Sequence, residues 1–140
     1  MKIYFAWSIR AGRQDRDIYL AMIKHIQQYG TVLTEHLGDP NLTSGWEQIS
    51  DQAIYERDLA RVKESDVIVA EVSNPSLGVG YELWVAEMLW KSILCLYGEG
   101  SERQLSAMVR GNHKLSVGNY KSLDDAKELI DSFFQSNLLG

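Results

Sequence analysis

The sequence predicts an α/β fold: a single-domain, doubly wound, Rossmann- or flavodoxin-like parallel sheet of about five strands, with helices on both faces. Two observations carry this. Short apolar runs lack the polar alternation of a half-exposed strand, as expected for strands buried on both faces. Between them lie stretches whose apolar residues recur at helical spacing. With 140 residues, 45% apolar and 24% charged, and two prolines, the chain suits one domain, residues 1–140, with one core.

The elements follow in order. Lys2-Ile-Tyr-Phe-Ala-Trp7 reads as the first strand, broken by Ser8-Ile-Arg-Ala-Gly-Arg13. From Asp15, the positions Ile18, Ala21, Met22, Ile26 and Tyr29 outline a helix that Gly30 can stop. Thr31 to Thr34 reads as a second strand. A loop over Leu37 to Gly45 carries the Asp39-Pro40 turn signal and Ser44 as a candidate cap. Trp46 to Glu64 is helical, and Asp66-Val-Ile-Val-Ala-Glu71 is the clearest strand. The loop from Val72 to Gly80 leads into a helix over Tyr81 to Trp90. Ser92 to Tyr97 is a fourth strand and Leu115 to Gly118 a short fifth. Ser122 caps a last helix through Leu123, Ala126, Leu129, Ile130 and Phe133.

Composition excludes several function classes. A net charge of −5 argues against nonspecific nucleic-acid binding, which needs a basic face. Against that charge, Arg10, Arg13 and Arg16 suggest one small anion site, or else a solvated helix face. No apolar run approaches the ~20 residues that span a bilayer, and the start lacks a signal-type core. A cytoplasmic location without membrane attachment is expected. Cys95, the single cysteine, lies in an apolar run and reads as a small buried hydrophobe rather than a nucleophile. His25, His36 and His113 are too scattered for a ligand set, so neither metal nor cofactor is expected.

Open parallel sheets bind ligands at the carboxyl ends of their strands, near the point where strand order reverses. The first strand ends at Ser8-Ile-Arg10 and the third at Ser73-Asn-Pro-Ser76, so both loops open on one edge. Asn74 to Gly80 has the chemistry of an anion cradle: glycines expose backbone N–H groups, Ser76 adds a hydroxyl, and a helix N-terminus follows. A plain tight turn fits the same residues, and neither a Walker loop nor a dinucleotide fingerprint is present. Glu82 falls in the first turn of the next helix, where a carboxylate also simply favours the dipole. Asp58 lies among Glu56, Arg57 and Arg61 on what reads equally well as a solvated face, and Tyr4 sits mid-strand as a core residue would.

These segments together resemble the 2'-deoxynucleoside 5'-phosphate N-hydrolases, within the nucleoside 2-deoxyribosyltransferase-like group. The matching residues are Tyr4-Phe5, Ser8-Ile-Arg10 with Gly12-Arg13, Gly30 to His36, Asp58-Leu59 and Asp66 to Val72. The most specific block is Pro75-Ser-Leu-Gly-Val-Gly-Tyr-Glu-Leu83, supported by Ile93 to Leu96 and Leu105-Ser-Ala-Met-Val-Arg-Gly111.

The resemblance implies hydrolysis of the N-glycosidic bond of deoxynucleoside monophosphates, without cofactor. Glu82 corresponds to the nucleophile, Asp58 to the second carboxylate, and Tyr4 to the hydroxyl that positions the nucleophile. Ser8, Ile9, Arg10, Ala11, Gly12, Arg13, Ser76 and Gly78 correspond to substrate contacts, of which Ser8, Arg10, Ser76 and Gly78 meet the 5'-phosphate. Ser106 corresponds to a serine that reaches the phosphate from a second subunit, which implies a homodimer. The chain departs from the family in having Trp7 where glycine is usual, and Trp84-Val85 where glycine-arginine is usual. Trp7 either stacks on the base or repacks its strand. Base exchange by a deoxyribosyltransferase, or a silent nucleotide-binding module, remain as other outcomes.

Overall fold

A computed structural model describes residues 1–9, 12–34 and 50–139, the side chains of residues 13, 138 and 139 excepted. The strands are β1 (Lys2–Ala6), β2 (Thr31–Val32), β3 (Val67–Glu71), β4 (Ser92–Gly98) and β5 (Ser116–Tyr120). The helices are α1 (Arg13–Ile26), α2 (Asp51–Glu64), α3 (Leu77–Met88), α4 (Ala107–Arg110) and α5 (Leu123–Leu139).

The strands form one sheet in the order β2-β1-β3-β4-β5. Every pairing is parallel. The order reverses between β1 and β3, where Tyr4 pairs with Ile68 and Ala6 with Ala70. In open parallel sheets such a reversal is where ligand crevices form at the carboxyl ends of the strands. All five residues of β3 are buried, as the unbroken apolar run predicted. Alternate residues feed two cores. Ile3, Phe5, Val67 and Val69 pack with Tyr19, Met22 and Phe134 of α1 and α5. Tyr4, Ala6, Ile68 and Ala70 pack with Val62, Leu83 and Ala86 of α2 and α3.

Several boundaries differ from expectation, each for a local reason. α3 begins at Leu77 rather than Tyr81, because the Ser76 hydroxyl accepts the Val79 N–H at 3.2 Å and closes the first turn around Gly78 and Gly80. Glu82 therefore lies in the second turn. The helix ends at Met88, and Trp90, at φ 60°, turns the chain out of it. α1 starts at Arg13, two residues early, and ends at Ile26. β2 is shorter than expected, although Leu33 N–H still reaches the Ile3 carbonyl at 2.8 Å. β5 runs on to Tyr120, which pairs with Gly98.

Ser50 caps α2 through Ala53 N–H at 3.1 Å. The candidate cap Ser44 and the expected helical residues 46–49 lie outside the described residues. Ser122 caps the last helix as expected, its hydroxyl accepting Asp125 N–H at 3.2 Å. Cys95 is fully buried, and that burial pushes its thiol up to about 12. Among the described residues, no helix is long and apolar enough to cross a membrane.

Gly30 packs where no side chain fits: a Cβ there would stand 2.2 Å from the Met1 carbonyl oxygen. That oxygen accepts Thr31 N–H at 2.9 Å and holds the β1–β2 edge. Gly30→Ala should therefore lose on the order of 1–3 kcal/mol in urea unfolding, as overpacking does. Gly12→Ala, with nothing within 4 Å, should leave the midpoint nearly unchanged.

Candidate active site

The site is assembled where β1 faces α2 and α3. Tyr4 points to that side because it shares strand parity with Ala6, and it is 6% exposed. Its hydroxyl donates a hydrogen bond to Glu82 Oε2, which α3 brings down from above. α2 packs beside α3 and carries Asp58, whose Oδ1 accepts a hydrogen bond from Arg57 Nε at 3.0 Å. Three residues from three separate segments thus converge: Tyr4, Asp58 and Glu82.

Burial, aided by the neighbouring Asp58 charge and opposed by the Tyr4 hydrogen bond, raises Glu82 from 4.5 to about 7. Burial first, and then the Glu82 charge, push the Tyr4 phenol far above its ordinary value. Tyr4 therefore remains a hydrogen-bond donor across the physiological range. The carboxylate it holds is poised between its two protonation states near neutrality.

Asp58 and Glu82 open into a cleft of about 480 Å³ between α2 and α3, within the size range of small-molecule sites. Ile54 and Leu59 supply apolar surface, and Tyr55 and Tyr81 line it with their hydroxyls 3.4 Å apart. Asp51, Ile54, Tyr55 and Asp58 form one face of α2, spaced at three- and four-residue intervals. That spacing was the available signal. It was missed because Ile54 reads as core and the tyrosines carry no motif.

Gly78 joins the cleft at the start of α3. The first N–H groups of a helix lack intrahelical partners, and no Cβ crowds them at Gly78, whose nearest neighbour would be Ser76 Oγ at 3.8 Å. Ser76 Oγ accepts the Val79 N–H, so its own O–H remains a donor. This end of the cleft suits an anion.

Other expected site residues are placed differently. Ser8 is buried and 1% exposed, whereas Ile9 is 60% exposed. Gly12 is the N-cap of α1. Arg10, Ala11 and His36 lie outside the described residues, as does the side chain of Arg13. Trp7 does not line the cleft. It follows the parity of Ile3 and Phe5 to the opposite face of the sheet, where its ring lies 6.0 Å from that of Tyr19. Ser106 is exposed, caps α4 through Met108 N–H at 3.2 Å, and is not among the residues that line the cleft. Among the described residues, no group of three or more His, Cys, Asp or Glu side chains gathers to hold a metal ion.

A family model for nucleoside 2-deoxyribosyltransferases matches residues 3–124. The chain belongs to this family. A 5-hydroxymethyl-dUMP N-hydrolase of Danio rerio is 46% identical over 140 residues, covering 97% of each chain. The protein of the same name from Homo sapiens is 41% identical over 140 residues, covering 96% of this chain and 80% of its own. Among solved structures, a CMP N-glycosidase of Clostridium botulinum superposes with a TM-score of 0.72 at 18% identity, covering 95% of this chain and 99% of its own. This last likeness is one of fold.

The raised Glu82 has a stability consequence. Between pH 4.5 and about 7 the folded chain holds a proton that the unfolded chain releases. Stability therefore falls as pH rises through that window. Glu82→Gln, which keeps an acceptor for Tyr4, should melt higher than the parent at about pH 8 and alike below pH 4.5. Scanning calorimetry at the two pH values checks this.

Proposed function

We propose that the chain hydrolyses the N-glycosidic bond of 2'-deoxynucleoside 5'-monophosphates, releasing the free base and 2-deoxyribose 5-phosphate. The observation that carries this is a half-buried carboxylate, Glu82, held by the Tyr4 hydroxyl beside Asp58 and next to a helix N-terminus suited to phosphate. The names of the relatives support it, because 5-hydroxymethyl-dUMP is itself a deoxynucleoside monophosphate.

The chemistry follows from charge. Loss of the base leaves an oxocarbenium-like sugar, and an anion against its face lowers that barrier. Ionised Glu82 attacks C1', the C1'–N bond breaks, and its electron pair leaves with the base. Asp58 assists that departure. Water then attacks C1' of the glycosyl ester, restoring the Glu82 carboxylate and releasing the sugar phosphate. The sugar needs no metal to ionise, and lacking a 2'-hydroxyl it forms the cation more readily. Tyr4 and Glu82, fitted around C2', exclude ribonucleotides.

The phosphate lies at the start of α3, against Ser76, Gly78 and Ser8, and the resemblance assigns Arg10 to the same anion. Binding energy there orients a reacting bond several ångströms away. Trp7, on the other face of the sheet, leaves the sugar site open, which favours turnover over a silent binding module. Such a substrate belongs to the soluble nucleotide pool, so the location assigned is cytoplasmic.

A second copy of the chain belongs to this reading. Leu77, Trp84 and Met88 recur at helical spacing along the exposed side of α3, next to Tyr81 of the cleft. Leu77 is 97% exposed, Trp84 56% and Met88 51%, while Met108 after Ser106 is 83% exposed. An apolar stripe of this kind marks an interface. We assign it to a homodimer in which Ser106 reaches the partner's phosphate site. The bulk of Trp84 adds area to that contact.

Glu82→Ala should lower base release from 5-hydroxymethyl-dUMP by at least about a thousandfold, with the fold intact by circular dichroism. Near-parental turnover would remove Glu82 as nucleophile. Ser76→Ala and Ser106→Ala should each raise KM by roughly tenfold, the loss of about one charge-assisted hydrogen bond. Trp84→Glu should give a monomer by sedimentation with the same defect as Ser106→Ala. A fully active monomer contradicts the shared site. Adding a second free base to the reaction tests for exchange, which would mark a transferase.

A further inference from the structure

A second carboxylate lies buried at the carboxyl end of the sheet, and glycosidic chemistry makes no use of it. Glu71, the last residue of β3, is 1% exposed. By parity it points away from the cleft, toward α1 and α5. Three donors meet it, while the Asp15 carboxylate adds a like charge nearby. Glu71 Oε1 accepts Ser73 N–H at 2.7 Å. Oε2 accepts the Ser73 hydroxyl at 2.9 Å and the hydroxyl of Tyr120 from the end of β5.

The bonds continue outward from Ser73. Its Oγ accepts Gly98 N–H from the end of β4 at 2.7 Å, and its carbonyl accepts the Ser101 hydroxyl at 3.0 Å. The next residue, Asn74, donates from Nδ2 to the Tyr19 hydroxyl at 3.1 Å and reaches Asp15 Oδ2 at 3.5 Å, both on α1. Tyr19 is the ring on which Trp7 packs. Glu71 and Ser73 together therefore join the ends of β3, β4 and β5, and Asn74, next to Ser73, ties the same loop to the first turns of α1. The loop after β3 is anchored on this network, and Trp7, directly after β1, packs against its Tyr19.

Burying a carboxylate is costly unless donors compensate it. Burial raises Glu71 above its ordinary value, while Tyr120 and Ser73 hold it down. A residue needed only to fill space would be apolar here. What the carboxylate adds is a fixed path for Ser73 and Asn74, two and three residues before the chain reaches Ser76.

We propose that Glu71 is a positioning residue for the phosphate end of the substrate: through Ser73 it sets the course of the loop from β3 to α3, so that Ser76 and the first N–H groups of α3 face the anion. This deepens the hydrolase reading and rests on it. The role is indirect, since Glu71 lies on the far side of the sheet from the sugar.

The test compares Glu71→Ala, Ser73→Ala and Glu71→Gln with the parent. Turnover of 5-hydroxymethyl-dUMP and calorimetric binding of 2-deoxyribose 5-phosphate are measured for each. Glu71→Ala and Ser73→Ala should raise KM by about tenfold, the effect of misplacing one or two anion contacts, with kcat within about threefold. Binding of the sugar phosphate should weaken in parallel. Glu71→Gln keeps an acceptor for Ser73 N–H and should recover most of that loss.

Should Glu71→Ala fail to fold, Ser73→Ala carries the same comparison. A folded Ala variant with parental KM and parental sugar-phosphate binding overturns the proposal. So does a fall in kcat alone, or a Gln variant that recovers nothing. If the parent releases no base yet loses sugar-phosphate binding on Glu71→Ala, the hydrolase reading fails and the positioning role stands.

Discussion

The hydrogen bond from the Tyr4 hydroxyl to the Glu82 carboxylate is the contact on which the cleft depends. Burial and the nearby Asp58 both disfavour a charge on Glu82, and the phenol opposes them. The balance leaves a group that ionises near neutrality. A freely solvated glutamate would be a weaker stabiliser of a cationic sugar, since water would screen it. A glutamate buried without the phenol would remain protonated. Strand β1 supplies the donor, α3 the acceptor, and the reversal of strand order brings the two elements together.

The sheet separates two tasks by the parity of its strands. Even positions of β1 and β3 face α2 and α3, where the reacting groups and the cleft lie. Odd positions face α1 and α5, where Phe5, Trp7, Tyr19 and Glu71 build a rigid support under the loops. The loops themselves rise from strand ends that both faces share. On the proposed reading, a change on the support side acts through the loops, and a change on the cleft side acts on the reacting groups directly. This separation lets the chain accommodate an indole at Trp7 and keep the cleft clear.

Much of this arrangement was legible in the residues. Unbroken apolar runs identified the buried strands, helical spacing identified the helices between them, and together they determined the sheet edge where Ser8 and Ser76 emerge. The block around Glu82 and its companions Tyr4 and Asp58 pointed to the reaction. The start of α3 was misjudged because Gly78 and Gly80 suggest a turn, whereas the Ser76 cap makes them helical. For Trp7 the residues left two readings, stacking on the base or repacking of its strand. Alternation along β1 carries it to the other face, against Tyr19, as the second reading has it. The walls of the cleft, Tyr55 and Tyr81, and the support at Glu71 depend on contacts between distant segments, which no local pattern records.

The central claim, that Glu82 bonds to C1' before water does, is tested most directly by the configuration of the product trapped with methanol. When methanol competes with water during turnover of a β-configured deoxynucleotide, two successive displacements give the β-methyl glycoside of 2-deoxyribose 5-phosphate. The account predicts that anomer. Formation of the α-methyl glycoside would show a single displacement by solvent and would contradict it.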